Sequence, residues 1–130
     1  MSFELALSAV RPTQLYLSRE KLVGVLEWFD VGAPAYDPLT VISIEDTWYL
    51  IDGHTRAFVA FLAGEQTLRL VHDETIYDDP AFPVYRQCIE WCRAARIETI
   101  GDLSGCLVDH QTYERKWIER CRAVTTEETQ

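Results

Sequence analysis

The chain has few basic side chains, and it has no long apolar run. Its 130 residues include 12 Lys or Arg against 21 Asp or Glu, which gives a formal net charge of −9. Nonspecific nucleic-acid binding depends on Lys and Arg side chains that neutralise phosphates, so this balance argues against a nucleic-acid partner. No stretch approaches the ~18 consecutive apolar residues of a membrane-spanning helix, so we expect no membrane contact.

The sequence also shows no recognisable export signal and no long linker. The first residues, "MSFELALSAVRP", have neither the basic start nor the long apolar run of a signal peptide, so we expect a cytoplasmic protein. In that compartment the four cysteines, which all follow residue 87, are expected to be reduced thiols. No repeat or linker divides the chain, and a hydrophobic content of 48% is enough for one core.

Strand and helix patterns alternate in the first part of the chain. "TQLYL" predicts a short strand, and Ser18 is a suitable N-cap for the helix that follows. The apolar residues of that helix fall at helical spacing: Leu22, Val25, Leu26 and Phe29. After the loop "DVGAPAYDP", the segments "LTVISI" and "WYLI" flank the turn "EDT" and predict a hairpin. A second helix, ended by Gly64, and the strand "QTLRLVH" complete the order β-α-β-β-α-β.

The pattern becomes helical from "DDPAFPVYRQ" onward. Two helices each carry one stripe of apolar, aromatic and cysteine residues: Tyr85, Cys88, Cys92 and Ala95 in the first, and Tyr113, Trp117, Cys121 and Val124 in the second. Asp109 precedes the second helix as a candidate cap. The joining segment "ETIGDLSG" is expected to turn Ile100 and Leu103 inward.

These patterns predict an α+β fold. We expect a small mixed sheet in which a β-hairpin leads into a helix that carries a polar motif, with a helical C-terminal extension. The core would comprise residues 1–78, and the extension packed on it residues 79–124. Residues 125–130 contain no apolar side chain and are expected to form a frayed tail.

The motif is "LIDGHTR" at residues 50–56, which lies between the hairpin and the second helix. The start of a helix presents free N–H groups and a partial positive charge, which favour an anion. Gly53 lets an anion approach the backbone, and Arg56 offers a forked donor to a phosphate or carboxylate. Asp52 would repel a phosphate unless Mg²⁺ or a transferable proton lies between them. Alternatively, Asp52 caps the helix, His54 makes a local hydrogen bond and Arg56 an ordinary salt bridge.

Residues 12 to 73, with "LYLSREKL" and "DPLTVISIEDTWYLIDGHTRAFVAFLAGEQTLRLV", resemble the ParB/sulfiredoxin-like domain. In that superfamily a hairpin leads into a turn that contains Gly and ends in Arg at the start of a helix, and the turn binds nucleotide phosphates. The resemblance implies a nucleotide, such as ATP, ADP or CTP, with Mg²⁺ as a cofactor. It makes Gly53, Thr55 and Arg56 the ligand-binding residues.

The motif discriminates among branches of the superfamily. Sulfiredoxins carry a catalytic cysteine where this chain has His54, and partitioning ParB proteins have a Gly-Glu-Arg-Arg type motif and a basic surface. The free serine kinases read Asp-Gly-His-His-Arg, which Asp52, Gly53, His54 and Arg56 match, whereas Thr55 replaces the second histidine. This branch is the most similar in motif.

The kinase-like branch implies Mg²⁺-dependent phosphoryl transfer to a small hydroxyl compound. Asp52 and His54 would be catalytic, and Glu20 is the candidate for the essential glutamate that precedes the first helix in that branch. The alternative is a non-catalytic regulatory or protein-interaction module that keeps the fold. A role in DNA partitioning is disfavoured. The sequence leaves the substrate, turnover and the oligomeric state open.

A rival interpretation concerns zinc. Cys88, Cys92, Cys106 and His110 give C-x3-C, thirteen residues and C-x3-H, which superficially resembles a zinc site. The spacing departs from the usual C-x2-C knuckle, and buried free cysteine is common in cores. We therefore favour a core role for these cysteines and no protein-held metal.

Overall fold

A five-stranded mixed sheet organises the chain. The computed structural model describes residues 1–30 and 35–129, with side chains as far as residue 124. The predicted α+β fold is confirmed, with a motif-bearing helix after the hairpin and helices at the C-terminal end. The predicted loop "DVGAPAYDP" lies partly outside the described residues.

The strands are β1 (Ser2–Ala6), β2 (Val10–Arg11), β3 (Leu17–Ser18), β4 (Leu39–Ile44), β5 (Thr47–Asp52), β6 (Thr67–His72) and β7 (Leu107–Val108). The main sheet has the order β1-β6-β4-β5-β2. In it β1 with β6 and β4 with β5 are antiparallel, whereas β4 with β6 and β2 with β5 are parallel. A separate parallel pair joins β3 to β7.

The α-helices are α1 (Arg19–Trp28), α2 (His54–Leu62), α3 (Phe82–Ala94), α4 (His110–Tyr113) and α5 (Glu119–Thr129). Short 3₁₀ segments cover Leu7–Ala9, Ile76–Asp78 and Ile100–Gly105. A π-helical segment, Glu114–Ile118, joins α4 to α5. Within the described ranges, no helix combines the length and apolar character that crossing a membrane requires.

The β4–β5 hairpin forms where the sequence predicts it. Val41 pairs with Leu50, and the turn residues Glu45 and Asp46 have φ of 51° and 65°. Two successive residues with positive φ are typical of the turns whose twist matches that of a hairpin. The register set at the turn runs as far as the pair of Val41 and Leu50. An irregularity follows it, after which Thr40 pairs with Asp52, the residue before the glycine of the motif.

The side chains of the sheet alternate between two apolar clusters. Val41 and Leu50 belong to the main cluster, in which Phe58 of α2 is also fully buried. Ile42 and Tyr49 point to the opposite face, where they pack with residues of α3 and the segment before it. The sheet thus lies between two layers, and α2 has one face in the core.

Helix α2 ends as predicted at Gly64. This glycine has φ of 82°, and the N–H of Glu65 donates to the carbonyl oxygen of Ala60 at 3.0 Å. The N–H of Gly64 donates to the carbonyl oxygen of Phe61 at 3.0 Å. This is the hydrogen-bond pattern of a Schellman C-cap, which satisfies carbonyls that the end of a helix leaves free.

The C-terminal residues share their core with the N-terminal ones. Ile100 and Leu103 are buried in the main cluster, as predicted, and Leu15 packs in a further cluster with Tyr113 and Trp117. The β3–β7 pair adds a backbone connection. The domain boundaries at 78/79 and 124/125 stay predictions, and α5 is helical through Thr129 in the segment expected to be frayed.

The structure differs from the sequence predictions in the short strands and on α1. Strand β1 was missed although its residues alternate, with Phe3 and Leu5 half-buried. Strand β2 was missed because it has only two residues, and only Leu17 of "TQLYL" lies in a strand. Of the predicted stripe on α1, Phe29 is buried and Leu22 and Val25 pack half-buried against the main cluster, whereas Leu26 is 48% exposed. Ser18 does cap α1, because its Oγ accepts from the N–H of Lys21 at 3.3 Å.

The two glycines that bound α2 predict different responses to alanine. Both have positive φ, which costs an L-residue about 1–2 kcal/mol. A Cβ at Gly53 would lie 2.6 Å from Cδ2 of the buried Leu39, whereas a Cβ at Gly64 has nothing within 4 Å. We expect Gly53→Ala to lower the free energy of unfolding by about 1–3 kcal/mol more than Gly64→Ala, as measured by urea denaturation. Equal losses would contradict the crowding at Gly53.

Candidate functional site

The motif lies where β5 meets α2. Asp52 is the last residue of β5, Gly53 adopts φ 89° and ψ 27°, and α2 begins at His54. In the described structure no side chain caps the start of α2. The first intrahelical bond runs from the N–H of Ala57 to the carbonyl oxygen of Gly53 at 2.9 Å. The N–H groups of residues 54 to 56 therefore lie at the positive end of the helix dipole without intrahelical acceptors.

This helix start lines an open cleft of about 450 Å³. Residues 52 to 56 line it together with Lys21 and Trp28 of α1, and with Gln14 and Tyr113. The cleft therefore contains five of the six predicted site residues. The structure brings the motif together with two elements that are distant in the sequence.

Arg56 is held near the helix start by long contacts. Its Nη2 lies 3.8 Å from Oδ2 of Asp52, and its Nη1 donates to the carbonyl oxygen of Asp37 at 3.3 Å. The side chain of Asp52 is 74% exposed and that of Arg56 is 24% exposed. Ion pairs at such exposed positions contribute little to stability. Arg56 is thus not committed to a buried salt bridge, and its guanidinium remains accessible to an anion.

A second cation comes from α1. The Nζ of Lys21 lies 4.8 Å from the centroid of the Tyr113 ring, within the range of a cation–π interaction. The hydroxyl of Tyr113 accepts from Nε2 of Gln14 at 2.9 Å, and burial raises the pKa of Tyr113. Tyr113 therefore stays neutral at physiological pH, and its ring positions Lys21 at the cleft.

His54 is buried beneath the site, with only 2% of its surface exposed. Its Nε2 accepts from the backbone N–H of Thr13 at 2.9 Å, so the ring proton must lie on Nδ1. Among the described residues Nδ1 has no hydrogen-bond partner. Burial lowers the pKa of His54 to about 3, so the ring is neutral at physiological pH. In this geometry His54 is an acceptor that holds Thr13, and the predicted catalytic role does not enter our proposal.

Glu20 lies outside the cleft. The Oγ of Ser18 donates to Oε2 of Glu20 at 3.3 Å and lies 3.1 Å from Nδ1 of His110. Nε2 of His110 in turn lies 3.1 Å from Oε1 of Glu114. Glu20 is therefore part of a contact network at the start of α1, and it is not among the residues that line the cleft. Of the three side chains predicted to be catalytic, only Asp52 presents a solvent-exposed group there.

The sequence analysis did not assign to the site the polar and aromatic residues that line the cleft outside the motif: Gln14, Lys21, Trp28 and Tyr113. Tyr113 was assigned to a helix stripe, and nothing local relates it to a motif some sixty residues earlier. Lys21 and Trp28 lie on α1, whose exposed position was not expected. Only the packing of α1 and α4 beside α2 brings these residues together.

A second cavity, of about 410 Å³, adjoins the cleft. Gln14, Asp52 and Tyr113 line both spaces. The remaining walls of this second cavity are largely apolar and come mainly from α3 and from the π segment with α5, including Val84 and Trp117. We call it the apolar lobe. Asp52 thus lies between a polar cleft and an apolar lobe.

The four residues of the rival zinc interpretation, Cys88, Cys92, Cys106 and His110, do not surround a common point. Cys88 and Cys92 are buried free thiols in the cluster with Trp117, whereas His110 contacts Ser18 and Glu114. The residues that the structure describes include no group of three or more His, Cys, Asp or Glu side chains placed to hold a metal ion. The core interpretation of Cys88 and Cys92 agrees with their burial.

Comparison with protein-family models finds no match for this chain, and a search of curated proteins finds none. Sulfiredoxin from Arabidopsis thaliana aligns with 56% of this chain and 84% of its own, with 22% identity and a TM-score of 0.47. Protein Atu1540 from Agrobacterium tumefaciens aligns with 79% of this chain, at 16% identity and a TM-score of 0.50. The aligned region spans 61% of that protein. The likeness to Atu1540 shows that the chain has a ParB/sulfiredoxin-like fold, as the resemblance implied, and an identity this low shows the fold alone.

The burial of His54 predicts a loss of stability in mild acid. Its pKa is about 3 in the folded chain and 6.5 in the unfolded chain, so between these values the unfolded chain binds the additional proton. Stability therefore falls as the pH falls, by about 2 kcal/mol between pH 7 and pH 5. Hydrogen bonds from neighbouring residues lower the pKa values of the Asp73, Asp102 and Asp109 carboxyls, so the stability that these groups contribute is lost at more acidic pH.

Urea denaturation at several pH values measures this loss. His54→Gln removes the titrating ring and should reduce the dependence on pH in this window, even if the variant is less stable at pH 7. A wild-type chain whose stability is constant between pH 7 and pH 5 would contradict a buried, neutral His54.

Proposed function

We propose that this protein binds a nucleotide or a phosphorylated small molecule, with the phosphate at the turn from Asp52 to Arg56. The observation that carries the proposal is the uncapped start of α2 in an open cleft, with the side chain of Arg56 beside it. Backbone N–H groups at a helix start, together with a guanidinium, are a recurrent phosphate site.

Local charge supports an anionic ligand. The cleft contains Lys21 and Arg56 against the single carboxylate of Asp52, although the whole chain has a net charge of −9. Gly53 has no side chain at the point where an anion would meet the backbone, and a Cβ there would lie 3.0 Å from Nη2 of Arg56. The glycine therefore keeps the guanidinium and the helix start accessible to the same ligand.

Mg²⁺ fits this arrangement when phosphate is present. In proteins Mg²⁺ keeps several waters and usually binds one or two carboxylates together with substrate phosphates. Asp52 is the carboxylate that lines the cleft, so Asp52 and phosphate oxygens would hold the ion together. Bound Mg²⁺ would neutralise charge on the phosphates and remove the repulsion between them and Asp52.

Trp28 favours a nucleotide over a bare phosphate. It lines the cleft from α1 and is 51% exposed, which is high for such a large apolar side chain. Aromatic side chains at the edge of phosphate sites can stack on a base, and such stacking contributes about 1–3 kcal/mol per base. A ligand with phosphates at α2 and a base on Trp28 would use both features of the cleft.

We further propose that the bound nucleotide transfers a phosphoryl group to a hydroxyl compound. Asp52 lines both the cleft and the apolar lobe, so an acceptor hydroxyl in the lobe would meet its carboxylate. As the alternative to holding Mg²⁺, the carboxylate would orient the hydroxyl and accept its proton while Arg56 and the N–H groups of α2 bind the phosphate. His54 would position Thr13 and the helix start, and it would not transfer a proton.

A second candidate function is a protein-interaction module. Five large apolar side chains on α1 and α2 are between 43% and 55% exposed: Val23, Leu26, Trp28, Phe61 and Leu62. Exposed apolar residues on neighbouring helices are common at interaction surfaces. The absence of any response to nucleotides or phosphate, with or without Mg²⁺, would favour this alternative.

Substitutions of Arg56 and Asp52 test the phosphate site. We expect Arg56→Ala to weaken ADP or ATP binding by about 1.5–3 kcal/mol, because a hydrogen bond to a charged group is lost. Asp52→Asn keeps the shape and should leave the free energy of unfolding nearly unchanged, whereas phosphoryl transfer should fall sharply because the carboxylate's charge and basicity are gone. Isothermal titration and a phosphate-transfer assay measure these effects.

Arg93→Ala is the matched control for Arg56→Ala, since Arg93 is 59% exposed and pairs with Glu90 on α3. It should leave nucleotide binding unchanged. The phosphate site would be rejected if Arg56→Ala and Arg93→Ala bind ADP and ATP equally well. Should Asp52→Asn also unfold the chain, the motif would be a structural turn.

The role of Trp28 is tested with two ligands. Trp28→Leu should weaken ATP binding by about 1–3 kcal/mol because the stacking surface is lost. Binding of inorganic tripolyphosphate, which has no base, should stay the same and serves as the control. Isothermal titration measures both affinities. Equal losses for the two ligands would show that Trp28 supports the cleft and does not contact a base.

A further inference from the structure

Two cysteines on different helices face each other in the wall of the apolar lobe. Sγ of Cys88 on α3 lies 4.0 Å from Sγ of Cys121 on α5. Cys88 is 3% exposed, and Cys121 is half-buried. Both residues line the cavity of about 410 Å³ that adjoins Asp52. The contact therefore joins sequence positions 33 residues apart at a place that small solutes can reach.

The remaining two cysteines do not line the lobe, although Cys92 packs in the same apolar cluster as Cys88 and Cys121. Cys92 is buried, with 2% of its surface exposed, and it does not line the lobe. Cys106 donates through Sγ to the carbonyl oxygen of Asp102 at 3.7 Å. Among the described residues, Cys88 and Cys121 are thus the two thiols placed in contact at the lobe.

The two sulfurs of the pair are not equivalent. The sulfur–sulfur contact lowers the pKa of Cys121; burial opposes this shift, and nearby Arg120 adds to it. The same contact and burial raise the pKa of Cys88. Cys121 is also the more exposed of the two residues. It is therefore the sulfur better suited to meet a solute and react as a thiolate, and Cys88 the one suited to resolve the product.

We propose that Cys88 and Cys121 form a peroxide-reactive thiol pair that closes to a disulfide between α3 and α5. The thiolate of Cys121 attacks one oxygen of hydrogen peroxide, and the O–O bond breaks to give a sulfenic acid and hydroxide, which takes up a proton to become water. Sγ of Cys88 then attacks the sulfenic sulfur, its S–H bond breaks, and a second water leaves. The two thiols are oxidised, and one peroxide is reduced to two waters.

The disulfide would change the lobe. A bond of about 2.05 Å replaces a contact of 4.0 Å, so the two sulfurs must come closer, by rotation of the cysteine side chains or by a shift of α3 against α5. The wall of the lobe next to Asp52 would change shape as a result. Formation of the disulfide does not depend on the proposed nucleotide site, whereas an effect on an acceptor compound in the lobe rests on the proposed function.

Thiol counting on the full chain tests the pair. The reduced protein is treated with hydrogen peroxide, denatured and alkylated, and its intact mass is measured. We expect two of the four thiols to be lost together with two hydrogens, and dithiothreitol to restore all four. Cys121→Ser and Cys88→Ala should each prevent this loss, whereas Cys106→Ala, the control variant, should still lose two thiols.

Fragmentation of the oxidised wild-type chain locates the bond, which keeps the test valid if Cys88→Ala fails to fold. A bond that joins Cys88 to Cys121 supports the proposal. A bond to Cys92 or Cys106, mass gained only as oxygen, or no loss of thiols would overturn it. Nucleotide titrations of the reduced and oxidised forms are separate measurements, so failure of the nucleotide site leaves the result on the thiols intact.

Discussion

The hydrogen bond from the backbone N–H of Thr13 to Nε2 of His54 is the contact on which the site depends. Thr13 also donates through Oγ1 to the carbonyl oxygen of Leu50 at 2.6 Å, so one residue fastens the segment before β3 to both β5 and α2. Gln14, the next residue, lines the cleft and contacts Tyr113. The hydrogen bond to the buried His54 ring therefore fixes Thr13 and, through it, Gln14 at the far wall of the cleft. The ring must stay neutral to accept this hydrogen bond.

The hairpin, the motif-bearing helix and the C-terminal helices could be predicted from the sequence because each follows from a local rule. The spacing of "LTVISI" and "WYLI" determines the hairpin, and Gly64 determines the end of α2. The short strand β2 could not be predicted, because two residues carry no period and Val10 becomes part of the sheet only by pairing with Trp48. Such pairings depend on tertiary contacts.

The candidate site likewise has features that the local sequence predicts and features that depend on tertiary contacts. The cluster from Asp52 to Arg56 is visible as a run of polar residues beside a glycine, so its members could be predicted. Their roles could not, because the role of His54 depends on burial and on a partner 41 residues earlier. Lys21 and Tyr113 also share the cleft only through the packing of their helices. A motif thus identifies the place, and packing decides which of its side chains face solvent.

The π segment between α4 and α5 has a geometric consequence for the cleft. In a regular α-helix, residues four apart advance by about 400°, so a line of side chains drifts by ~40° with every step. The wider turn at Glu114–Ile118 opposes that drift. Tyr113 and Trp117 can therefore both stay buried, and Cys121 still points toward α3. A single irregular turn thus keeps three side chains aligned along the wall of the apolar lobe.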